Sequence, residues 1–296
     1  MLLPKFDYQV PKTLREACAL LDEYGAKAKL LAGGTDLLVN LKRKTLAPEQ
    51  VISLNKIKGL DEAAAKKGKG ISIGPLTTAA YLAENELARG PLQVLAEGAG
   101  RLGSPLIRNR ATLGGNIVTA RPASDLAPPL MVLGAVLILK GKDGERELAV
   151  EKFFKGPGKT SIKPKEILSR IFIPETDGLA AGAYLKLGSR KTLEISLVNA
   201  ASFLEIGPDL TIKQARIVLG AVAPVPVRAK TAEKFLKGKK PQGENDPLFR
   251  EAARAAVQDA SPITDHRGSA EYRQALIEIL TARTLQSAYS RIMKKA

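Results

Sequence analysis

Two glycine pairs set the strongest local constraint on how this chain can fold. Residues 32–36 read AGGTD, directly after Lys29-Leu30-Leu31, and residues 112–116 read TLGGN. Glycine accepts a positive φ and has no Cβ, so each pair permits a tight strand-to-helix turn or the close approach of a ligand. Consecutive N–H groups in such a turn can bind a phosphate oxygen, while an ordinary loop is the alternative for either pair alone.

The first fifth of the chain reads as a compact βαβ-like unit. Thr13 and Glu16 have the spacing of a capping box at the start of a helix. A short strand leads into AGGTD, a second helix begins at Thr35 or Asp36, and Val51–Leu54 is a further strand. This pattern predicts a first unit over residues 1–55.

The remaining pattern predicts a second unit over residues 56–175 and a third over 176–296, with the boundary at the composition shift Glu175-Thr176-Asp177-Gly178. The second unit has strands at Ile71–Ile73 and Ile167–Ile173, helices at Thr78–Glu86 and Leu92–Leu102, and a helix-to-strand passage over Leu130–Leu139. The third has strands at Tyr184–Leu187, Leu197–Ile206 and Leu210–Val222, followed by helices at Thr231–Leu236, Pro247–Asp259 and Ser269–Met293. Strands followed by helices indicate the α+β class.

Composition excludes several classes of protein and site. No stretch reaches the roughly 18 apolar residues of a membrane helix, and the N-terminus is a poor secretory signal, so a cytoplasmic protein is expected. The only cysteine, Cys18, cannot form an internal disulfide or hold an iron–sulfur cluster, and its apolar helical stripe predicts a core position. The only histidine, His266, lies in a polar loop and cannot supply a histidine-rich metal site.

The chain is basic, with 46 Lys+Arg against 30 Asp+Glu and a net charge of +16. A basic surface can attract nucleic acid or an acidic partner. The lysines are dispersed, there is no tryptophan to stack bases, and groove-reading motifs are missing. We therefore expect a solvated basic surface and no nucleic-acid partner. The dispersed lysines are Lys42, Lys66, Lys67, Lys155, Lys159, Lys237, Lys239, Lys240, Lys294 and Lys295.

Motifs for nucleotide folds and nucleophilic catalysis are absent from the sequence. Neither glycine pair matches G-x-G-x-x-G or G-x-x-x-x-G-K-[ST], and no G-x-S-x-G elbow occurs. A ligand site with few candidates for acid, base or nucleophile suggests a cofactor that does its own chemistry.

The longest informative segment, residues 107–125, reads IRNRATLGGNIVTARPASD. Together with AGGTD-x-L at 32–38, VISLNKIKGL at 51–60, IGPLTT at 73–78, EILSRIFIP at 166–174 and AYLKLGSRK at 183–191, it resembles the flavin-binding subunit of the molybdenum hydroxylases, the family of xanthine dehydrogenase and carbon monoxide dehydrogenase. The resemblance extends along nearly the full chain.

The resemblance implies an FAD site between two N-terminal subdomains of the PCMH type, followed by a C-terminal antiparallel sheet with helices. It implies that Asp125 helps to bind the ribityl and adenosine portion, that Leu168 and, less directly, Leu102 contact the flavin, and that Lys186 is a flavin-contacting lysine. Without the resemblance, the two leucines could equally be core residues and the lysine a solvated charge on a strand. The implied diphosphate contacts are Lys29, Leu30, Leu31, Ala32, Gly33, Gly34, Thr35, Asp36, Thr112, Leu113, Gly114, Gly115 and Asn116.

The resemblance also implies a role and partners. FAD in this chain would take electrons from [2Fe-2S] clusters of a small subunit, which serves a large molybdopterin subunit that oxidises substrate, and pass them to an external acceptor. Assembly as a dimer of heterotrimers is part of the same implication. The alternative is a stand-alone FAD-dependent oxidoreductase with the same flavin fold. A third class, a basic nucleic-acid-binding protein, would bind no flavin.

Two positions depart from the family pattern. Relatives that oxidise carbon monoxide typically have His-Ser after AGG, whereas this chain has Thr35-Asp36, which disfavours carbon monoxide as the substrate. Arg121 stands where many relatives have serine before the proline. We expect Arg121 either to pair with Asp125 or to add a phosphate contact.

The phosphate interpretation of Arg121 predicts that Arg121→Ser weakens FAD binding, because one charge-assisted hydrogen bond contributes about 1.5–3 kcal/mol. Titration of the apoprotein with FAD, followed by flavin fluorescence, measures the change. An unchanged FAD affinity would exclude the phosphate contact.

Overall fold

The computed structural model describes residues 3–66, 68–86, 90–176, 178–190 and 194–294. Lys67 and Lys295 of the dispersed lysines, Asp177 at the predicted boundary, and Lys191 at the end of AYLKLGSRK lie outside the described residues. Within these ranges, no helix is both long and apolar enough to cross a membrane.

The first unit is a three-stranded parallel sheet with two helices. Its strands lie in the order β1-β3-β2. Every residue of β3 is buried, as expected for the central strand of a parallel sheet covered on both faces. The elements are β1 (Asp7–Gln9), α1 (Leu14–Tyr24), β2 (Ala28–Leu31), α2 (Leu37–Lys42) and β3 (Gln50–Ser53).

The second unit is built on a five-stranded antiparallel sheet. Its helices lie in the chain between the second and third strands of this unit. The order of the sheet is β4-β5-β10-β6-β7, and β8 and β9 form a separate hairpin. The elements are β4 (Ala63–Lys66), β5 (Gly70–Ile73), α3 (Ala79–Glu84), α4 (Gln93–Arg101), α5 (Pro105–Arg108), α6 (Leu113–Thr119), α7 (Ala127–Val132), β6 (Val136–Gly141), β7 (Gly144–Ala149), β8 (Phe154–Gly156), β9 (Lys159–Thr160) and β10 (Ile167–Pro174).

The third unit is a four-stranded antiparallel sheet covered by three helices. Its order is β11-β12-β13-β14. The elements are β11 (Leu179–Leu187), β12 (Val198–Ile206), β13 (Ile212–Gly220), β14 (Val227–Arg228), α8 (Lys230–Leu236), α9 (Pro247–Ala256) and α10 (Ala270–Met293).

The C-terminal sheet is buried on both faces, and this arrangement places the third unit against the second. Ala201 and Phe203 of β12 belong to the core of the second unit, whereas Ala200 and Leu204 belong to the core formed with α8–α10. Alternation of side chains along a strand produces this division. Polar contacts also join the second unit to the third. Glu97 on α4 forms an ion pair with Arg291 on α10 and accepts the backbone N–H of Tyr184 at 2.8 Å.

Most sequence predictions of local structure are confirmed. Thr13 caps α1 by accepting the N–H of Glu16 at 3.1 Å, and Cys18 is buried on that helix. The passage Leu130–Leu139 divides at Gly134, whose φ of 67° ends α7 before β6 begins. Three strand predictions are wrong in detail: β10 includes Pro174 instead of ending before it, β11 begins at Leu179 instead of Tyr184, and the C-terminal sheet has a fourth short strand, β14.

A buried arginine fastens the polar loop before α10 to the C-terminal sheet. Arg273 is 1% exposed and donates to the carbonyls of Leu197 and Ala221 at 3.0 and 3.2 Å. It also donates to Asp265 at 2.8 Å. Arg267 pairs with the same carboxylate from a more exposed position, and hydrogen bonds from Arg267 hold the pKa of Asp265 well below its ordinary value.

Arg273→Met should lower the free energy of unfolding by about 3–5 kcal/mol, because it leaves the carbonyls of Leu197 and Ala221 without their donor and removes the buried cation beside Asp265. Arg267→Met is the matched control, since it removes an arginine from the same carboxylate at a partly exposed site and should cost about 1 kcal/mol or less. Urea unfolding at pH 7 measures both values. Equal losses in the two variants would show that burial of Arg273 is not the decisive factor.

Candidate functional site

A cavity of about 310 Å³ lies where the first unit meets the second. One wall is the loop between β2 and α2, a second is the start of α6, and the remainder is mainly apolar. The lining residues are Leu30, Ala32, Gly33, Gly34, Thr35, Asp36, Leu37, Leu54, Pro75, Leu76, Leu102, Ile107, Ala111, Thr112, Gly114, Gly115, Asn116, Val118, Thr119, Ile162, Ile167 and Leu168.

The first glycine pair is explained by the packing of the chain on itself. A Cβ at Gly33 would lie 1.8 Å from the carbonyl oxygen of Arg110, which no L side chain can accommodate. Gly34 has a φ of 79°, a conformation that favours glycine. The pair is therefore required to dock the β2–α2 loop against the segment that precedes α6.

The same loop carries a run of unused backbone donors. Within the described chain, the N–H groups of Gly33, Gly34, Thr35 and Asp36 donate to no protein acceptor. All four residues line the cavity. Adjacent free amides of this kind form a concave site that suits an anion oxygen.

The second glycine pair differs from the sequence prediction of a turn. Gly114 and Gly115 lie inside the first turn of α6, which Thr112 caps by accepting the N–H of Gly115 at 3.1 Å. The N–H groups of Leu113 and Gly114 donate to the carbonyls of Thr77 and Pro75, at 2.9 and 2.8 Å. The prediction that consecutive amides of TLGGN point at one ligand is therefore wrong, because protein acceptors already use them.

The two glycines of TLGGN have separate structural reasons. A Cβ at Gly114 would lie 2.5 Å from the Cβ of Pro75, so this position is fixed by packing. A Cβ at Gly115 would meet only the Thr112 hydroxyl, at 2.8 Å, and Gly115 lines the cavity. All four glycines line the cavity, and Gly115 is the one whose added Cβ would meet no atom other than a side-chain hydroxyl.

Apolar side chains form much of the cavity lining. Leu102 and Leu168 line it and are 8% and 4% exposed, so they serve the cavity and the core of the second unit together. Ile107 contributes a side chain that is 37% exposed at the rim. A pocket with one apolar end and a few polar groups at the other is typical of a cofactor site.

The cavity has little charge of its own. Among the described lining residues, Asp36 is the only charged side chain, and there is no lysine or arginine. A diphosphate in this cavity would be met mainly by N–H groups and by the polar side chains of Thr35, Asn116 and Thr119. Arg121 is exposed two residues beyond Thr119 and forms no ion pair with Asp125 in the described structure.

Asp125 instead pairs with Lys186 from the C-terminal sheet. The lysine Nζ lies 2.9 and 3.0 Å from the two carboxylate oxygens, and the Tyr184 hydroxyl donates to the same carboxylate at 2.6 Å. Side-chain exposures of 11% for Lys186 and 9% for Asp125 make this a buried ion pair. The prediction of an Arg121–Asp125 pair is wrong because Lys186 and Tyr184 occupy the carboxylate.

Burial is the main influence on the pKa values of Asp125 and Tyr184. Desolvation raises the pKa of Asp125 above its ordinary value, and the charge of Lys186 and the hydrogen bond from Tyr184 counter that shift. Burial and the Asp125 charge together raise the pKa of Tyr184 well above its ordinary value, so the phenol stays a hydrogen-bond donor.

A chain of hydrogen bonds connects the ion pair to the cavity. Asn116 lines the cavity and accepts the Ser124 hydroxyl at 2.5 Å, and Ser124 is the residue before Asp125. The amide of Asn199 on β12 donates to the Ser124 carbonyl at 3.3 Å. The C-terminal sheet therefore supports the polar side of the cavity from behind.

Some predicted site residues lie elsewhere for reasons of chain geometry. Lys29 and Leu31 alternate with Leu30 and Ala32 along β2, so they lie on the opposite face from the two residues that line the cavity. Leu113 is fully buried in the core, and Asp125 and Lys186 lie behind the cavity wall.

Sequence reasoning missed several contributors. Leu54 follows β3, Pro75 and Leu76 lie within the IGPLTT segment, and Tyr184 is in AYLKLGSRK, so each was inside or beside a quoted motif without being singled out. Only the pairing of the strands shows which side of each segment faces the site.

Comparison with known proteins gives the family. Residues 4–176 match the FAD binding domain in molybdopterin dehydrogenase, and residues 183–288 match the CO dehydrogenase flavoprotein C-terminal domain. The chain therefore belongs to the family of FAD-binding domains of the molybdopterin dehydrogenases, and it is an FAD-binding oxidoreductase component.

Individual relatives cover almost the whole chain. The carbon monoxide dehydrogenase medium chain of Hydrogenophaga pseudoflava is 33% identical over 291 residues, covering 98% of this chain and 99% of the relative. The putative xanthine dehydrogenase FAD-binding subunit of Escherichia coli (strain K12) is 30% identical, covering 95% of each chain. A solved structure of carbon monoxide dehydrogenase from Hydrogenophaga pseudoflava matches with a TM-score of 0.91 at 33% identity, covering 98% of this chain and 99% of that one.

Lys186→Met should lower the free energy of unfolding by about 3–5 kcal/mol, because it leaves the Asp125 carboxylate buried without a cation. The loss should be greater at pH 7 than at pH 5, since the raised pKa of Asp125 lets acid remove the buried charge. The double variant Asp125→Asn/Lys186→Met should recover much of the loss. Urea unfolding of the chain without flavin measures all three.

Lys27→Met is the surface control for this experiment. Lys27 pairs with Glu49, but its side chain is 64% exposed, so the change should cost about 1 kcal/mol or less. If Lys186→Met were no more harmful than this control, the pair would not be a buried electrostatic contact in solution.

Proposed function

We propose that this chain is the FAD-carrying electron-transfer subunit of a multi-subunit molybdenum hydroxylase. In this role it takes electrons from [2Fe-2S] clusters of a small subunit, next to a large molybdopterin subunit, and passes them to an external acceptor. The observation that supports the proposal most is the cavity itself, which is lined by Gly33–Asp36, whose N–H groups donate to no described acceptor, by Gly115 and by apolar side chains. FAD, when bound, supplies the reversible uptake and release of electrons.

The residues of the chain have distinct tasks in this proposal. The amides of Gly33 to Asp36 hold the diphosphate, and the bare backbone of Gly115 lets it approach. Leu102 and Leu168 pack against the flavin ring and exclude water from one part of the cavity. Asn116, with the Asp125–Lys186 pair behind it, fixes the polar wall by hydrogen bonds. Backbone donors aimed at the ligand need no reorganisation when it binds.

The bounds of the three units, the assembly and the location are assigned by extending the family resemblance. We place the two flavin-binding subdomains at residues 1–55 and 56–175 and the C-terminal unit at 176–296, in line with the three sheets. Assembly as a dimer of heterotrimers and a cytoplasmic location belong to the same proposal. The identities of the relatives as carbon monoxide and xanthine dehydrogenase subunits support a role beside a molybdenum centre.

Gly115→Ala should weaken FAD binding by about tenfold or more, because a new Cβ would intrude between the Thr112 cap and the cavity, while a disturbed cap costs only about 1 kcal/mol of stability. The measurement is a titration of the apoprotein with FAD, with unfolding in urea as a check on the fold. Gly243→Ala is the control, since a Cβ there meets nothing within 4 Å. Unchanged FAD affinity in Gly115→Ala would remove this residue from the site.

Purification of the tagged chain from its native host tests the electron-transfer role. We expect two further polypeptides to co-purify with FAD, molybdenum and iron, in amounts that follow the chain. The isolated flavin-loaded chain should be inert toward xanthine or carbon monoxide. A chain that purified alone and oxidised an organic substrate by itself would instead support the stand-alone oxidoreductase.

A further inference from the structure

A second concave surface lies between the start of the first unit and the chain segment that directly follows that unit. We name it the lysine groove; it has a volume of about 630 Å³ and opens to solvent. It is formed where the chain leaves β1 and enters α1, and by the turn after β3. Its lining is Val10, Lys12, Thr13, Leu14, Lys56, Ile57 and Lys58.

The floor of the lysine groove is apolar and partly uncovered. Val10 is 44% exposed, Leu14 is half-buried, and Ile57 is anchored in the core at 5% exposure. Tyr8, on the edge strand β1, is also 54% exposed. Exposed apolar side chains grouped beside a concavity are typical of an interaction site, whereas single exposed ones are ordinary.

The rim of the lysine groove is positive. Lys12, Lys56 and Lys58 are exposed, none forms an ion pair with a described residue, and no carboxylate lines the groove. The nearest acid on α1, Glu16, accepts the backbone N–H of Lys12 at 2.7 Å, and that hydrogen bond is the main reason its pKa is lowered. The charge of Lys12 also interacts with Glu16, whereas Lys56 and Lys58 have no acidic partner among the described residues. Three cations around an apolar floor complement an acidic surface with an apolar contact at its centre.

The turn that forms one side of the lysine groove also forms part of the cavity wall. Leu54 lines the cavity, whereas Lys56, Ile57 and Lys58 line the groove. Between them, Asn55 donates to the carbonyl of Ala32, next to the first glycine pair, at 3.3 Å. A protein seated in the groove would therefore be separated from the cavity by a single turn of chain.

We propose that the lysine groove docks an acidic electron-acceptor protein, an inference that rests on the proposed electron-transfer function. Small, charge-steered contacts are typical of redox encounters, which must form and dissociate quickly.

An apolar floor with three cations fits a protein better than nucleic acid, whose binding depends on neutralising many phosphates. Two molecules of an oxidised one-electron acceptor would take the two electrons of one reduced flavin, and the flavin protons would go to solvent.

Direct binding tests the groove without depending on flavin. The probes are cytochrome b5, an acidic haem protein, and cytochrome c, a basic one, each titrated calorimetrically into the full chain with and without FAD. We expect cytochrome b5 to bind at low salt and to weaken as salt is added, and cytochrome c not to bind. Lys12→Glu/Lys56→Glu/Lys58→Glu should weaken cytochrome b5 by about tenfold or more.

Two further variants separate docking from general charge. Lys234→Glu/Lys237→Glu/Lys240→Glu changes the charge equally on the C-terminal unit, where all three lysines are exposed, and should leave the affinity within about twofold. Val10→Asn keeps the charge and should weaken binding severalfold without changing its salt dependence. Equal effects of the two triple variants, or no effect of Val10→Asn, would overturn the proposal.

Reoxidation of the dithionite-reduced, flavin-loaded chain supplies the redox readout. The groove triple variant should slow oxidation by cytochrome b5 about tenfold and leave oxidation by neutral benzoquinone unchanged. A chain that binds no FAD but still binds cytochrome b5 through the groove would contradict the proposed function and retain the docking site.

Loss of dimerisation in Val10→Asn would identify a second copy as the occupant. Preferential binding of a DNA oligomer at the groove would identify nucleic acid as the occupant, and either result overturns the proposal. Protection of Lys12, Lys56 and Lys58 from acetylation in the intact complex would also overturn the proposal, because it would show that a permanent subunit covers the groove.

Discussion

The contact between Gly33 and the carbonyl of Arg110 is the constraint on which the rest of the structure depends. It brings the loop after β2 so close to the segment before α6 that there is no room for a side chain. Because this contact joins a loop of the first unit to a loop of the second, it fixes the gap between the two units. The cavity is the space that is left beside it, and its volume and polarity follow from the loops that meet there.

The two glycine segments that meet at this contact have different physical roles. The first leaves four backbone N–H groups free, and the second uses its own N–H groups to hold the start of α6 in place. The cavity wall has no described lysine or arginine, so it would hold an anion by oriented dipoles and not by ion pairs. Such a site depends on backbone geometry, and the hydrogen bonds of Thr112, Ser124 and Asn199 maintain that geometry.

The sequence predicted the positions of the helices and strands well, but it did not show which side of each one faces the cavity. Caps and periodicity located α1, α10 and the passage through Gly134, because those signals are local. The short strand before AGGTD was predicted, but only the folded structure shows that Leu30 lines the cavity and Lys29 does not. The spacing of Thr112 and Gly115 was visible, yet the helix that they begin was interpreted as a turn. The partner of Asp125 lies 61 residues away, on another sheet, and no local pattern distinguishes Lys186 from Arg121.

The buried pair between Asp125 and Lys186 has a consequence for how the protein can be divided. The carboxylate belongs to the flavin-binding region matched over residues 4–176, and its counter-ion belongs to the sheet that follows. A fragment cut at that limit would keep both glycine segments, but it would expose or strand an acid that the intact chain neutralises. The amino-terminal region is therefore not a self-sufficient flavin module, and the carboxyl-terminal sheet is the electrostatic complement that completes it.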